Sequence, residues 1–164
     1  MEEYEPRILI LVSQEGEKVE ISEKAAIRSK LIKNMLEINP NSIEIPLNIK
    51  INILKKIKDY LEHYENEDPK EIERPLPTAD LKLYVVEWDY YFIDLDLGTI
   101  FDIIIAGNYM DIKELLELGS SKIAYIIKAK NSEEIKQIFN ITNDFTPEEE
   151  EQILEENKWC MENL

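Results

Sequence analysis

The spacing of apolar residues changes from segment to segment along the chain, and each spacing predicts an element. Residues 8–12 (ILILV) and 18–21 (KVEI) are short apolar or β-branched runs flanking SQEGE, where Gly16 marks a turn, so they predict a hairpin. Ser22 opens a helical pattern, SEKAAIRS, and Ser29 a second, SKLIKNMLEIN, which stops before Pro40. SIEIPL predicts a third strand in which Ile43 and Ile45 alternate with polar neighbours. From Lys50, the positions Ile53, Leu54, Ile57, Tyr60, Leu61 and Tyr64 mark one face of a helix that ends before Pro69. Hairpin, helices, strand and helix together predict a small mixed α/β core.

The periodicity lapses from about Glu65 to Glu87, where Pro69, Pro75 and Pro77 stand among many charges, so this segment is read as a surface loop or flexible insert. Inside it, LKLYVV either adds a strand or docks on the core, and the pattern does not choose. EWDYYFIDLD predicts a short helix, with Trp88 as an anchor for the helices behind it. Thr99 is expected to open the next helix, TIFD resembling a capping box. Ile100, Phe101, Ile103, Ile104 and Ile105 make that helix apolar nearly all round, which predicts burial between layers before it ends at Gly107, Asn108 and Tyr109. Ile112, Leu115, Leu116, Gly119, Ile123, Ile126 and Ile127 then form a helical stripe from Asp111 to about Lys130. Its first half reads as core, and little remains in the chain to cover its second half.

The tail from Asn131 to Trp159, NSEEIKQIFNITNDFTPEEEEQILEENKW, holds two short helix patterns joined by a turn. Its large apolar residues, Ile135, Ile138, Phe139, Ile141, Phe145, Ile153, Leu154 and Trp159, sit in a strongly acidic background. A tail this polar does not close a core by itself, so these residues are expected to need a partner. Thr146, Pro147 and Glu149 supply an N-cap, a proline at the first helical position and a capping-box acid. The acids at 148–151 favour that helix start through the backbone dipole.

Composition narrows the function class. The chain has 164 residues, 44% of them hydrophobic, enough for one domain with a core and a smaller appendage. Asp and Glu number 35 against 19 Lys and Arg, a formal net charge of -16 that disfavours nucleic acid and anionic membranes and points to protein partners. No apolar run approaches the roughly 20 residues of a membrane span. The acidic start MEEYEPRILILV is unlike a signal peptide, so cytosol and nucleus are the expected compartments. A single cysteine, Cys160, excludes an internal disulfide. The one histidine, His63, ends a patterned helix without a second histidine or a cysteine nearby and reads as a surface residue. With four glycines in all, no phosphate-binding loop can be assembled. Nothing here points to an enzyme, a cofactor or a metal.

Longer strings carry a resemblance: IKNMLE (32–37), ILKKI (53–57), the WD at 88 and 89, GTIFDIIIAGNYMDIKELL (98–116) and SEEIKQIFNITNDFTPEEEEQILEENKWC (132–160). In content and order they resemble the adaptor subunit of SCF ubiquitin ligases, the S-phase-kinase-associated protein family. Departures fall at Gly107 and Glu114, where that pattern has Ala and Gly, at Gly119 in place of a larger residue, and in the insert near Leu81–Val86.

The resemblance implies a BTB/POZ domain over residues 1–130, carrying the insert at about 65–87, and F-box-binding C-terminal helices over 131–164. It implies a non-catalytic role in ubiquitin-dependent degradation, bridging cullin to interchangeable F-box proteins, with a RING subunit and an E2 enzyme engaged indirectly. Leu116, Ile123, Ile127, Ile135, Phe139, Ile141, Phe145 and Trp159 are the F-box contacts it implies, and Asn108 and Tyr109 the cullin contacts. In some protist members the proline at the position of Pro147 is hydroxylated and then glycosylated, which makes Pro147 a candidate modification site. A non-ligase scaffold of a kinetochore or vacuolar assembly stays open as an alternative, as does weak homodimerisation. An elongin-C-like module would share the core but has no reason to carry the tail.

Overall fold

The computed structural model describes residues 7–72, 81–83, 85–128, 130–141 and 145–161, with the backbone alone given at 147, 150, 154 and 159–161. The chain divides into two compact units, residues 1–128 and 129–164.

In the first unit the run ILILV forms the central strand β1 (Ile8–Val12) of a three-stranded sheet ordered β2-β1-β3. Strand β2 (Lys18–Ser22) pairs antiparallel, with Leu9 opposite Ile21 and Leu11 opposite Val19, and β3 (Glu44–Pro46) pairs parallel, with Ile45 opposite Leu11. Side chains alternate between faces, so this register gathers Leu9, Leu11, Val19, Ile21 and Ile45 on one face, and all five are buried. Gly16 closes the hairpin with φ +82°, a conformation that favours glycine. Ile43 lies just outside β3 and is exposed, so its alternation with Ile45 is not that of two core residues.

Ser22 caps α1 (Glu23–Ala26) by accepting the Ala25 N–H, and Ser29 caps α2 (Lys30–Ile38) by accepting the Ile32 N–H. Helix α3 (Ile51–His63) buries Ile53, Leu54, Ile57, Tyr60 and Leu61 against the sheet and α1, with Tyr64 buried beyond its end. The insert does not remain outside the core throughout: a 3-10 turn at Leu81–Leu83 docks on α4 (Glu87–Phe92) and α6 (Lys113–Ile127), burying Leu81 and Val85. Exposed His63 stacks on Trp88 with ring centroids 3.7 Å apart, and Trp88 stacks in turn on Phe92 at 5.0 Å.

Helix α5 (Leu97–Tyr109) corrects two sequence-based expectations. It starts before Thr99, because Asp96 is its cap: the Asp96 carboxylate accepts both the Thr99 N–H at 3.0 Å and the Thr99 hydroxyl at 2.6 Å. Nor is it buried all round. Ile100 and Ile103 are buried, whereas Phe101 is 38% and Ile105 66% exposed. Helix α6 ends at Ile127, short of Lys130, and its core residues are Leu115 and Leu118, with Leu116 half-buried.

The second unit contains α7 (Ser132–Phe139) and α8 (Pro147–Met161), and α8, at 15 residues, is longer than the short pattern expected there. A reciprocal capping box of Asn131 and Glu134 opens α7. Asn140, at φ 50°, closes it with a Schellman-type pair of bonds, Asn140 N–H to Gln137 O and Ile141 N–H to Lys136 O.

Candidate protein-interaction surfaces

One surface lies where α5 ends. A spacing of four residues puts Phe101, Ile105 and Tyr109 in one stripe along the helix, and all three are exposed, as is Asn108. Ile105 and Tyr109 face a groove of ≈ 280 Å³ whose other walls are Gln14 after β1, Asn48–Lys50 before α3, and Ile53. An ion pair between Lys50 Nζ and Asp102 Oδ2 at 2.9 Å sits at this groove. An open apolar groove with a single surface ion pair suits a protein side chain and offers no paired acid and base.

Bonds from the cap and first turn of α2 hold this end of α5 in place. Buried Ser29 donates its hydroxyl to Met110 O at 2.6 Å while accepting the Ile32 N–H at 3.3 Å, and Leu31 N–H also bonds Met110 O. Met110 is fully buried, Asp111 takes φ 50°, and Ile112 N–H returns to Gly107 O, which turns the chain sharply into α6. Asn108 and Tyr109 are therefore displayed at a rigid corner.

The other expected surface starts on α6, where Leu116, Ile123 and Ile127 are half-buried and Tyr125 is exposed. Beneath its C-terminal half, the Lys122 side chain, 7% exposed, donates to Asp94 at 2.8 Å and lies over the rings of Tyr90 and Tyr125. That hydrogen bond and charge hold the Asp94 carboxyl below the usual carboxylate range. Burial instead raises the pKa of Asp89, which accepts the Tyr64 hydroxyl at 2.7 Å, and burial likewise raises Tyr64 and Tyr60. Asp89, Tyr64 and Tyr60 belong to packing between α3 and α4 rather than to either surface.

In the second unit, Ile135 and Phe139 of α7 are half-buried, Ile141 and Phe145 are more than half exposed, and Ile153 on α8 is 40% exposed. Thr146 and Glu149 form the expected capping box, Glu149 accepting the Thr146 N–H at 2.9 Å and Thr146 accepting the Glu149 N–H at 3.3 Å. Pro147 is the first residue of α8. The side chains of Pro147 and Trp159 lie outside the described residues.

Comparison with known proteins matches residues 7–66 to the Skp1 family, tetramerisation domain, and residues 113–160 to the Skp1 family, dimerisation domain. An S-phase kinase-associated protein 1 homolog of Tetrahymena thermophila is 50% identical, with 93% of each chain covered. The chain belongs to the Skp1 family. Other Skp1 relatives include the E3 ubiquitin ligase complex SCF subunit sconC of Arthroderma benhamiae, 43% identical over 94% of this chain and 95% of that one. Suppressor of kinetochore protein 1 of Schizosaccharomyces pombe is 41% identical over 92% and 95%. The fold is accordingly that of a Skp1 POZ domain followed by C-terminal helices. The first family segment holds the sheet and α1 to α3, and the second holds α6 to α8. The open face of α5 falls between them, and Phe101 and Ile105 are the surface residues that periodicity alone assigned to the core.

Proposed function

We propose that this chain is a non-catalytic adaptor of an SCF-type cullin–RING E3 ubiquitin ligase, holding cullin on one side and interchangeable F-box substrate receptors on the other. The observation that carries this reading is the alignment, over more than nine tenths of both chains, with proteins named as SCF subunits. Exposed apolar residues in each unit, Ile105 and Tyr109 on α5 and Ile141, Phe145 and Ile153 in the second unit, support it, since a bridge needs a surface for each partner. Cullin is assigned to Asn108 and Tyr109 with the open stripe of α5, and the F-box to Leu116, Ile123 and Ile127 of α6 together with Ile135, Phe139, Ile141, Phe145 and Trp159. The RING subunit and E2 act through cullin, and the expected compartments are cytosol and nucleus.

Co-expression with a cullin and an F-box protein tests the reading. A recovered three-way complex that transfers ubiquitin to a substrate held by the F-box protein is the expected result, and recovery of neither partner overturns it. A relative named as a suppressor of kinetochore protein favours one second reading, an F-box-binding scaffold outside the ligase. Recovery of F-box proteins from native extracts without cullin would select that reading.

A further inference from the structure

Helices α5 and α6 pack through two glycines whose surroundings differ. A Cβ built on Gly107 would lie 3.5 Å from Leu115 Cγ and 3.5 Å from Leu116 N, ordinary contact distances, so alanine fits there. A Cβ on Gly119 would lie 2.5 Å from Ile104 Cγ1, far inside carbon–carbon contact, and 3.3 Å from its Cδ1, a tight approach. Ile104 has little freedom to give way, because a β-branched side chain in a helix holds essentially one χ1 rotamer and Cγ1 is attached at the branch. Relief must come from movement of a helix. Helix propensity does not ask for glycine inside α6, where alanine is the better helix former. The vacancy at 119 therefore has a packing use.

We propose that Gly119 is a positioning residue. Its missing side chain is the seat for Ile104, and the seat fixes the spacing between α5, which ends in Asn108 and Tyr109, and the C-terminal half of α6, which carries Ile123 and Ile127. The consequence for assembly rests on the adaptor reading, whereas the spacing itself does not.

Crystal structures of Gly119→Ala and of Gly107→Ala, a control that adds the same methyl to the same interface, test the geometry. Relieving a 2.5 Å approach to van der Waals distance moves α6 by about 1 Å, and no movement is expected in the control. Titration with an F-box protein and, separately, with a cullin tests the consequence. Gly119→Ala is expected to weaken the F-box protein about tenfold and leave cullin unchanged, and Gly107→Ala to change neither. Adding Ile104→Ala to Gly119→Ala leaves Ile104 Cβ as the nearest atom, at 3.8 Å, and should restore both the position of α6 and the F-box affinity. If the single variant fails to fold, recovery of folding in the double variant supports the seat, and a double variant no better than the single overturns it. An α6 that stays in place beside a rotated Ile104, or equal losses for both partners, also overturns it. Should wild type bind no F-box protein, the adaptor reading fails, and the crystal structures still decide whether Gly119 sets the spacing.

Discussion

A buried polar side chain helps to hold the corner on which the α5 surface stands, and its worth can be measured. Ser29 is fully buried and serves twice, as the cap of α2 and as the donor to Met110 O. Ser29→Ala removes both bonds, and loss of a cap together with one of the two partners of Met110 O is expected to cost about 1–2 kcal/mol in denaturant unfolding. Faster amide exchange at Asn108 and Tyr109 should accompany it. The Ser29 cap was readable from SKLIKN, but its second bond was not, since Met110 lies 81 residues away.

Asp89 presents the opposite electrostatic case from Asp94. Its burial raises the folded-state pKa above the ordinary value of 3.8, so the folded protein keeps this proton to higher pH than the unfolded chain does. Its contribution to stability is therefore fully present below the unfolded value and lost as pH rises through the raised one. Asp94, held low by Lys122, contributes stability above the ordinary carboxylate pKa and loses it on acidification. Asp89→Asn keeps an acceptor for Tyr64 without a buried charge, so unfolding at pH 7 should show unchanged or slightly higher stability and a flattened pH dependence above 3.8. Tyr64→Phe removes that donor and should cost about 1–2 kcal/mol. A large loss in Asp89→Asn would show that the charge itself is needed.

Among the elements, periodicity served best where one face alone is apolar. Every apolar position expected on α3 is buried, because its other face is charged and only one orientation satisfies both. On α5 the same signal fails: a helix apolar on all sides does not reveal which side the fold exposes, and Phe101, 38% exposed, and Ile105, 66% exposed, look like core residues in the sequence for that reason. Its start failed through competing chemistry, since Thr99 and Asp96 are both good caps and only the fold shows which one the chain uses. The tail is more legible because its caps are local, and its signals include the Asn131 box and the Asn140 terminator beside Thr146 and Glu149. The first two are marked by an Asn three residues before Glu134 and an Asn directly after Phe139.

Helix α8 bears a testable consequence of that local stability. It has a full capping box, and among its described side chains the one large apolar residue, Ile153, is 40% exposed, so local bonds are expected to carry much of its marginal stability in the free protein. Its amides are expected to exchange quickly in the free chain and slow on F-box binding, the ordering cost lowering affinity and widening the choice of receptor. Thr146→Ala should deepen the effect by about 1 kcal/mol. Equal protection of α8 with and without an F-box protein would sink this account.

At the scale of the molecule, an adaptor requires two surfaces that fail independently. Lysines at 108 and 109 would put charge into an interface that is desolvated on binding, while both positions are exposed in the free chain and tolerate charge there. The double variant Asn108→Lys/Tyr109→Lys is therefore expected to fold normally, lose cullin binding at least tenfold, and keep its F-box affinity. Trp159→Ala should do the reverse, weakening the F-box protein by more than about 1 kcal/mol, as truncation of a large aromatic anchor does. Isothermal titration of each variant with each partner gives four affinities, and thermal melting of the free variants separates lost contact from lost fold. Cullin binding retained by the lysine variant would remove Asn108 and Tyr109 from the interface. Losing both partners in the Trp159 variant with an unchanged melt would mean that the two surfaces are coupled through the fold. With a formal charge of -16, both partners should meet the chain through basic surfaces, so both association rates should fall as salt rises while the division between the variants persists.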